Sequence, residues 1–370
     1  MKNLFYTLYA LFFNISRAIF PLKKNRVAFV SMHNENFCDA LGAVRDELQK
    51  KGGYDFVYIT RQDLSLSNPL RAIAFFLLKS RLLATAEYVF LNDNFLPMGK
   101  LNFRKEAVIT QLWHAEGAFK KFGLHIPQND ALRKAEIAAN SKLSFVVCSS
   151  EGVRKIYAEA FGVDEKKVLP LGAPRVDYLL NEDNQKKALN EIHEKYPDTK
   201  NKKILLYAPT FRDEPERDKE ILNNFDISAV KKALGEEYEI FVRLHPQIHI
   251  SDRDTNSVTD VTDFPDVRQL ILAADVLVTD YSSICMDFSL LSKKIVFFAY
   301  DLEWYRERRD FYFDYENFVP GLVAKTTDEL ISAVKADFQK ERNDKFRAFN
   351  FSYTDSFSAK RVVDEICIKS

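Results

Sequence analysis

Residues 274–301 read ADVLVTDYSSICMDFSLLSKKIVFFAYD and combine two apolar runs with a polar turn and a helical segment between them. The run VLVTD is typical of a buried strand that ends at Asp280, and KIVFFAY is typical of the next strand. Ser282 and Ser283 are placed to begin the helix that lies between the two strands. The stretch therefore predicts a strand–helix–strand unit with parallel strands.

The same alternation of strands and helices extends along most of the chain. We therefore predict an α/β protein with two Rossmann-like domains that face a central cleft, the first at residues 23–175 and the second at residues 176–350. The segment LGAPRVDYLL, residues 171–180, marks the boundary between them. Residues 351–370 are predicted to form a C-terminal helix, and a return of this helix to the first domain is left open.

The composition is that of a globular protein with a substantial core, since 46% of the 370 residues are hydrophobic and 29% are charged. The 53 basic residues balance the 53 acidic ones, which argues against a general nucleic-acid-binding protein, because such proteins usually carry a basic excess. The cysteines form no CxxC pair, so we expect reduced, mostly buried cytoplasmic thiols rather than a structural zinc site. They are Cys38, Cys148, Cys285 and Cys367.

Residues 1–22 are largely apolar and are predicted to form an amphipathic helix that ends at Pro21. Helical spacing gathers one narrow stripe from Asn3, Thr7, Ala10, Asn14 and Arg17, and apolar side chains cover the rest. The uncharged stretch is shorter than the ~20 residues that span a bilayer. With Lys23, Lys24 and Arg26 behind it, the helix is predicted to associate with an anionic membrane surface. The alternative is that the helix packs on its own domain.

Ligands of open α/β sheets bind beyond the carboxyl ends of the strands, which directs attention to the residues that follow them. In QLWHAEGAFKKFG, residues 111–123, His114 closes an apolar strand and is either a general base or a histidine that hydrogen-bonds the loop backbone. In LLYAPTFRD, residues 205–213, Thr210 and Arg212 form a candidate phosphate grip. The alternative for the arginine is a surface ion pair with an acid that follows it.

Two further strand ends favour phosphate binding. In FVRLHPQ, residues 241–247, Arg243 and His245 alternate with apolar residues and are expected to face the same side, with a purely structural pair as the alternative. Ser282 and Ser283 combine two hydroxyl groups with the unpaired N–H groups and positive dipole of a helix N-terminus, a combination suited to a diphosphate. The alternative for the serines is an ordinary N-cap.

Five short motifs follow one another along the chain. They are WH followed by Gly117 and Lys120-Lys121, YAPTFR, RLHP, TDYSS followed by Asp287, and YDLEWYRERRDFYFDYENFVPG at residues 300–321. In this order they resemble the CDP-glycerol/CDP-ribitol glycerophosphotransferase family, which includes teichoic-acid primases and polymerases and related capsule enzymes. The resemblance runs from about residue 25 to about residue 365.

The resemblance implies a GT-B-like transferase that uses no metal or other cofactor. Such an enzyme moves glycerol phosphate or ribitol phosphate from a CDP-linked donor, held by the second domain, to a hydroxyl of a lipid-linked or polymer acceptor, held by the first. CMP is released. The resemblance also implies a peripheral protein at the cytoplasmic face of the cell membrane. No role in nucleic-acid binding is expected, and the oligomeric state is left open.

Carried over position by position, the resemblance implies that His114 and His245 are catalytic and that Ser282 and Ser283 bind the donor diphosphate. It also implies that Arg212 and Arg243 contact phosphate. Further candidate site residues are Thr210, Asp280 and Asp287. Where family members often have glycine and small polar residues after WH, this sequence has alanine and then Glu116. A carboxylate at this position is expected to influence either the choice of acceptor or the pKa of the histidine, and Glu116 is therefore a further candidate site residue.

The expected mechanism is in-line attack of the acceptor hydroxyl on the phosphorus that carries the polyol, with CMP as the leaving group. His114 would take the hydroxyl proton, and His245 with the start of the serine helix would stabilise charge on the phosphate oxygens. One alternative is a GT-B glycosyltransferase or a nucleotide-sugar epimerase, and another is a non-catalytic membrane-associated binding protein. The motifs leave glycerol against ribitol and primase against polymerase open.

Overall fold

The apolar runs of the sequence form two parallel sheets of six strands, one in each of two units, which confirms the predicted α/β class. The structure, a computed structural model, describes residues 2–32, 37, 39–64, 69–212, 214–245 and 258–368. The first unit consists of Met1–Tyr178 and Phe349–Ser370, and the second of Leu179–Ala348. The observed boundary thus lies a few residues beyond the predicted one, and the C-terminal segment belongs to the first unit.

The first sheet lies at the centre of the first unit. Its strands are β1 (Lys23–Ser31), β2 (Asp55–Thr60), β3 (Ala86–Leu91), β4 (Val108–Gln111), β5 (Phe145–Val147) and β6 (Val168–Leu169). They are arranged in the order β2-β1-β3-β4-β5-β6, and neighbouring strands pair in parallel. The strand order reverses between β1 and β3, and such switch points are where open α/β sheets bind ligands.

Helices connect and cover these strands. They are α1 (Lys2–Ile19), α2 (Ala40–Lys51), α3 (Pro69–Ala74), α4 (Ser80–Ala84), α5 (Asp130–Asn140) and α6 (Arg154–Phe161). A π-helical turn, Phe75–Lys79, joins α3 to α4. The helix α2 begins where the Asp39 carboxylate accepts a hydrogen bond from Leu41 N, and α6 ends at Gly162 in the left-handed conformation that favours glycine.

The second sheet has the strand order of a Rossmann domain. Its strands are β7 (Lys203–Tyr207), β8 (Tyr238–Val242), β9 (Thr259–Asp260), β10 (Val276–Thr279), β11 (Lys294–Phe298) and β12 (Leu322–Ala324). They are parallel and lie in the order β12-β11-β10-β7-β8-β9, so the switch point falls between β7 and β10. The segment VTDVTD, residues 258–263, has a pattern that predicts a strand, but only the two residues of β9 form one.

Short helices surround this second sheet. They are α7 (Glu182–Lys195), α8 (Pro215–Asn224), α9 (Ile227–Leu234), α10 (Val267–Ala273), α11 (Ile284–Ser289), α12 (Leu302–Arg308), α13 (Tyr315–Phe318), α14 (Thr327–Lys335) and α15 (Lys340–Asn350). The stretch that predicted the fold accordingly forms β10, α11 and β11. All residues of β8 and β10 are buried, as expected of parallel strands covered on both faces.

The C-terminal segment completes the core of the first unit. Its helix α16 (Ser358–Val363) and the π-helical turn that follows contribute Val362, Val363 and Ile366 to the cluster formed by β1, α2 and β3. The Asp177 carboxylate holds the start of α16, because it accepts hydrogen bonds from Ser358 N at 3.0 Å and Ala359 N at 2.7 Å. Burial raises the pKa of Asp177 to about 6.

One face of the N-terminal helix α1 docks on the first unit. Tyr9 and Phe13 are fully buried. The Tyr9 ring stacks on Phe75 with 4.5 Å between ring centroids, and the Phe13 ring meets Phe103 at 5.0 Å. These contacts confirm, for this face, the alternative in which the helix packs on its own domain.

The polar stripe predicted along α1 also meets the first unit. The Asn14 side-chain oxygen accepts a hydrogen bond from Asn102 N at 3.2 Å, and Lys100 Nζ donates to Thr7 Oγ1 at 2.6 Å. Polar and aromatic contacts thus fix the rotation of the helix about its own axis. The remaining side of α1 is the one that faces outward.

That outer face of α1 is apolar. It consists of Leu4, Leu8, Leu11, Ile15 and Ile19, which are between 40% and 66% exposed. In the neighbouring segment, Ile73, Leu77 and Leu78 are exposed as well. The basic cluster predicted behind the helix is partly neutralised, because Lys23 and Arg26 in β1 both form ion pairs with Asp55 at 2.8 Å. Of the helices in the described residues, none is both long and apolar enough to cross a bilayer.

Candidate active site

His114 lies at the carboxyl edge of the first sheet, in the loop that follows β4. The strand ends at Gln111, so the prediction that His114 closes the strand is wrong by three residues. The Nδ1 atom of His114 lies 3.2 Å from the backbone oxygen of Asn92, which follows β3. A carbonyl oxygen only accepts, so this contact assigns the proton of the neutral ring to Nδ1 and the lone pair to Nε2. The side chain is 41% exposed.

Two neighbours fix the ring of His114 further. The Asp93 carboxylate lies 3.9 Å from Nδ1, close enough to stabilise an imidazolium when one forms. The indole ring of Trp113 lies 4.1 Å from the imidazole centroid and packs in turn on Phe122 and Phe161. The imidazole is thus partly exposed and its tautomer is fixed, as a general base requires. The same contact is the backbone hydrogen bond of the alternative interpretation, so the role of His114 as a base stays a prediction.

Glu116 lies next to this loop but points into the first unit. Its carboxylate is buried and forms an ion pair with Arg175 at 2.7 Å. The pair lies in a small pocket lined also by Ser149, Tyr157 and Gly172. The charge expected at the position after WH is thus neutralised within the unit, and what it contributes to acceptor choice stays a prediction.

Asp280 links the two loops at the switch point of the second sheet. Its carboxylate is buried and accepts hydrogen bonds from Thr210 N at 2.8 Å and Tyr281 N at 2.5 Å. Thr210 follows β7, and Tyr281 follows β10. Asp280 therefore holds together the loops between which a Rossmann sheet binds its ligand.

Arg212 occupies neither of the environments expected from its local sequence. Its guanidinium is fully buried and forms ion pairs with Asp280 at 2.9 Å and Asp301 at 2.7 Å. Burial alone would lower the pKa of Arg212, but the two carboxylates raise it above its ordinary value. The surface ion pair expected for Arg212 is thus replaced by two buried ion pairs, which tie together the loops after β7, β10 and β11, and a contact of Arg212 with phosphate stays a prediction.

Arg243 and His245 follow β8 and have different partners. Arg243 Nη1 donates to the backbone oxygens of Val261 and Phe264 at 3.0 and 2.8 Å, and burial lowers the pKa of this guanidinium. These contacts favour the structural alternative for the arginine. The His245 ring stacks on Phe211 with 4.2 Å between ring centroids. Pro246 and Gln247 of the same motif lie outside the described residues.

The two serines lie at the start of α11. Ser282 Oγ accepts a hydrogen bond from Ile284 N at 3.3 Å, the contact expected of a cap. Ser283 is the N-cap residue by backbone position, but its side chain makes no capping bond to the helix. Asp287, by contrast, is buried within α11. Of these three candidates, Ser283 thus best keeps its side chain available for a ligand.

The structure brings together Thr210, Arg212 and Asp280. Ser282 and Ser283 follow Asp280 closely in the chain. It also reveals residues that the sequence interpretation missed. They are Asn92, Asp93, Gln111 and Asp301, and each ends or directly follows a strand or apolar run that the sequence had identified. Their position was therefore a usable signal, whereas their partners depend on tertiary contacts.

Within the described part of the chain, no three His, Cys, Asp or Glu side chains converge as metal ligands do. The cysteines that the structure describes are Cys148, Cys285 and Cys367, and all are buried. Burial raises the pKa of the Cys148 thiol to about 12, which keeps it protonated near neutral pH. Cys38 lies outside the described residues.

The model of the CDP-glycerol:poly(glycerophosphate) glycerophosphotransferase family matches residues 11–368. The chain belongs to this family. A teichoic acid ribitol-phosphate primase of Bacillus spizizenii is 32% identical over 378 residues, which cover 99% of this chain and 96% of the primase. A teichoic acid glycerol-phosphate primase of Bacillus subtilis is 31% identical over 82% of this chain and 78% of its own length.

Longer relatives match this glycerophosphotransferase-family chain over part of their length. The teichoic acid poly(ribitol-phosphate) polymerase of Bacillus spizizenii is 33% identical over 94% of the chain, but the chain spans only 57% of that polymerase. Among solved structures, the wall teichoic acid polymerase TagF, soaked with CDPG, has a TM-score of 0.79 at 23% identity and covers 98% of this chain and 92% of its own.

A UDP-GlcNAc 2-epimerase from Neisseria meningitidis has a TM-score of 0.54 at 14% identity and covers 92% of this chain and 99% of its own. At such identities the likeness to TagF and to the epimerase shows the fold alone. The match to the family therefore separates this chain from the nucleotide-sugar enzymes that share its fold. It confirms the resemblance found in the five motifs.

Proposed function

We propose that this protein transfers a polyol phosphate, glycerol phosphate or ribitol phosphate, from a CDP-linked donor to a hydroxyl of a teichoic-acid-type acceptor. The oxygen of the acceptor hydroxyl forms a new bond to the phosphorus that carries the polyol. The bond from that phosphorus to the bridging oxygen breaks, and CMP leaves. Family membership supports the reaction class, and the polar residues at the carboxyl edge of each sheet support a role for each unit in ligand binding.

The observation that carries the proposal is the contact of His114 with the Asn92 backbone oxygen. Because this contact keeps the proton on Nδ1 of the neutral ring, Nε2 carries the lone pair that would take the proton of the attacking hydroxyl. The imidazolium that results gains the nearby Asp93 carboxylate as a partner. His114 is therefore assigned as the general base.

On the donor side, we assign His245 and Ser283 to the diphosphate. Neither Arg212 nor Arg243 is assigned to it, because the first is held by two carboxylates and the second by two backbone oxygens. His245 and the N–H groups at the start of α11 would stabilise the charge that develops on the phosphate oxygens. The reaction is proposed to need no metal ion.

The protein is further proposed to work at a membrane surface as a peripheral protein with a lipid-linked acceptor. The outer face of α1 supports this, because its five apolar side chains lie at helical spacing on one side of a helix whose other side is docked. Exposed cations in the neighbourhood, Lys24 and Arg81, are suited to anionic headgroups.

The direct test measures CMP release from CDP-glycerol and CDP-ribitol with a lipid-linked acceptor, with UDP-GlcNAc as a control donor. We expect CMP release from a CDP-polyol, unchanged by a chelator, and no turnover of UDP-GlcNAc. The mass of the product identifies the polyol and distinguishes the addition of one unit from polymerisation. No release from either CDP-polyol would overturn the proposed reaction.

The roles of the two histidines are tested in the same assay. His114→Ala and His245→Ala should each lower turnover by more than about a hundredfold, the usual scale for a proton-transfer group. His125→Ala is the matched control, because His125 forms an ion pair at 3.6 Å with the exposed carboxylate of Glu159 and is not assigned to the reaction. Near-normal turnover by a folded His114→Ala or His245→Ala protein would remove that histidine from the mechanism.

A further inference from the structure

One buried side chain joins the two loops that meet at His114. Gln111, the last residue of β4, is 2% exposed. Its amide nitrogen donates to the backbone oxygen of Asp93 at 3.1 Å, and its amide oxygen accepts from Trp113 N at 2.9 Å. Both polar ends of the side chain are therefore used, one in the loop after β3 and the other in the loop after β4.

Each of these hydrogen bonds lies one residue away from the contact that orients the base. Asp93 follows Asn92, whose backbone oxygen meets His114 Nδ1, and Trp113 precedes His114. Gln111 thus holds the backbone beside Asn92, which supplies the carbonyl oxygen, and the backbone beside His114. A shift of either loop would separate Nδ1 from the carbonyl oxygen.

The backbone of Trp113 shows that this loop is held in place. Its φ of 61° lies in the left-handed region, which bulky L-residues rarely adopt. Such conformations persist where the surroundings fix them, and they concentrate at functional sites. The bond from Trp113 N to Gln111 is one of the contacts that hold the residue there, and Trp113 in turn stacks on the imidazole.

We propose that Gln111 is a positioning residue for phosphoryl transfer, which clamps the loops after β3 and β4 so that the proton of His114 stays on Nδ1 and Nε2 faces the acceptor hydroxyl. Gln111 does not touch the substrate and acts only through His114. This inference rests on the proposed role of His114 as the general base.

The test compares Gln111→Met and Gln111→Glu with the wild-type protein. Methionine has a similar size but makes neither hydrogen bond, so kcat should fall at least about tenfold while KM for the CDP-polyol stays unchanged. An ionised glutamate can still accept from Trp113 N but cannot donate to the Asp93 oxygen. Its kcat, relative to wild type, should therefore rise as the pH is lowered and the carboxyl becomes protonated.

Tyr88→Phe is the matched control. Tyr88 lies in β3, away from the carboxyl end of the strand, and its hydroxyl donates to the backbone oxygen of Cys367 at 3.3 Å. This variant also loses a buried bond to a backbone oxygen, yet it should keep the wild-type kcat. If Gln111→Met does not fold, the kcat of Gln111→Glu across pH decides the matter.

The double variant His114→Ala/Gln111→Glu separates positioning from general structural support. If Gln111 acts through His114 alone, the double variant should show the residual rate of His114→Ala. A further loss in the double variant, or wild-type kcat in both single Gln111 variants, would overturn the inference. If His114→Ala itself releases CMP at the wild-type rate, the proposed base fails, and the failure is then distinct from that of the clamp.

Discussion

Arginine suits the position of Arg212 because its planar fork of donors can bind two carboxylates at once. Asp280 and Asp301 come from the ends of different strands, and Asp301 is 89 positions away in the sequence. No local pattern could predict that pairing, since the acids that follow Arg212 directly looked equally suitable. The motifs drew attention to Arg212, and the contacts that the structure shows for it are the two buried ion pairs with Asp280 and Asp301.

Replacing Arg212 should destabilise the protein. In Arg212→Met the guanidinium is lost and two carboxylates remain buried without their shared partner, a change that typically costs about 3–5 kcal/mol. Urea unfolding should show a lower midpoint. Arg217→Met is the control, because Arg217 forms a partly exposed ion pair with Glu220 and lies over the Trp304 ring at 5.3 Å, and an exposed ion pair contributes about 0–1 kcal/mol.

The opposite result would restore the interpretation made from the sequence. If Arg212→Met unfolds at the same urea concentration as Arg217→Met but loses affinity for CDP-glycerol in calorimetry, the guanidinium binds the donor. Loss of stability with the remaining folded protein still able to bind the donor would support the structural role.

At the scale of elements, α1 has two apolar sides, of which one docks on the first unit and the other is exposed. Helical periodicity predicted the helix and its lack of a full membrane span. Periodicity could not tell which of these sides docks, because both carry large hydrophobic side chains, Tyr9 and Phe13 on one and Leu4 and Leu11 on the other. Only the aromatic partners, Phe75 among them, make the distinction, and they are far away in the sequence.

Polar substitutions on the outer face of α1 should weaken membrane binding without unfolding the protein. Leu4→Gln/Leu11→Gln removes two exposed apolar side chains that would enter the headgroup region. Co-sedimentation with anionic vesicles should fall, and CMP release with a short soluble acceptor should persist. The control Leu189→Gln/Phe357→Gln changes exposed apolar residues elsewhere and should bind vesicles like wild type.

Substitution is a better test than deletion of residues 1–20, because a deletion would also expose the apolar residues that Tyr9 and Phe13 cover. Equal vesicle binding by the outer-face variant and its control would contradict a membrane role for α1. Weaker binding by wild type at high salt would show the contribution of the nearby cations.

Most elements could be predicted from the alternation of apolar runs with helical segments, and the carboxyl ends of the strands indicated the candidate site residues, whose roles stay predictions. The end of β4 was missed because AVITQLWH is largely apolar, whereas the strand ends at Gln111, whose side chain accepts a hydrogen bond from the left-handed Trp113. Likewise, the helix start predicted at Ser282 is correct, but which serine hydroxyl is occupied depends on the local geometry of α11.

At the scale of the whole molecule, the C-terminal segment makes stability depend on pH through Asp177. Its pKa is raised from 3.8 to about 6 in the folded protein, so the folded state binds this proton more tightly than the unfolded state. The contribution of Asp177 to the free energy of unfolding is therefore largest below pH 4. It falls as the pH rises from about 4 to about 6 and stays constant above.

Asp177→Asn removes this dependence. The free energy of unfolding of wild type minus that of Asp177→Asn should be larger at pH 4 than at pH 7, by at most about 3 kcal/mol, since one pKa unit corresponds to about 1.4 kcal/mol. Urea unfolding of both proteins from pH 4 to pH 8 gives the difference.

Asp355 provides a control of opposite sign. A hydrogen bond from Arg361 lowers the pKa of Asp355, so its contribution is present above the unfolded value and is lost as the pH falls through the folded one. Wild type minus Asp355→Asn should therefore not grow toward acid. A difference for Asp177→Asn that is flat with pH, or that grows toward neutral pH, would contradict the raised pKa.

The return of residues 349–370 to the first unit has a consequence for biosynthesis. Val362, Val363 and Ile366 complete the core of the first unit, yet they are synthesised only after the whole of the second unit. The second unit is continuous in the sequence and is fully synthesised before them. At about 5–20 residues per second, the ribosome needs on the order of 10 to 30 seconds to proceed from residue 178 to residue 349. During that interval the part of the first unit already synthesised has an uncovered apolar surface, of the kind that chaperones bind, and the second unit can fold before the first is complete.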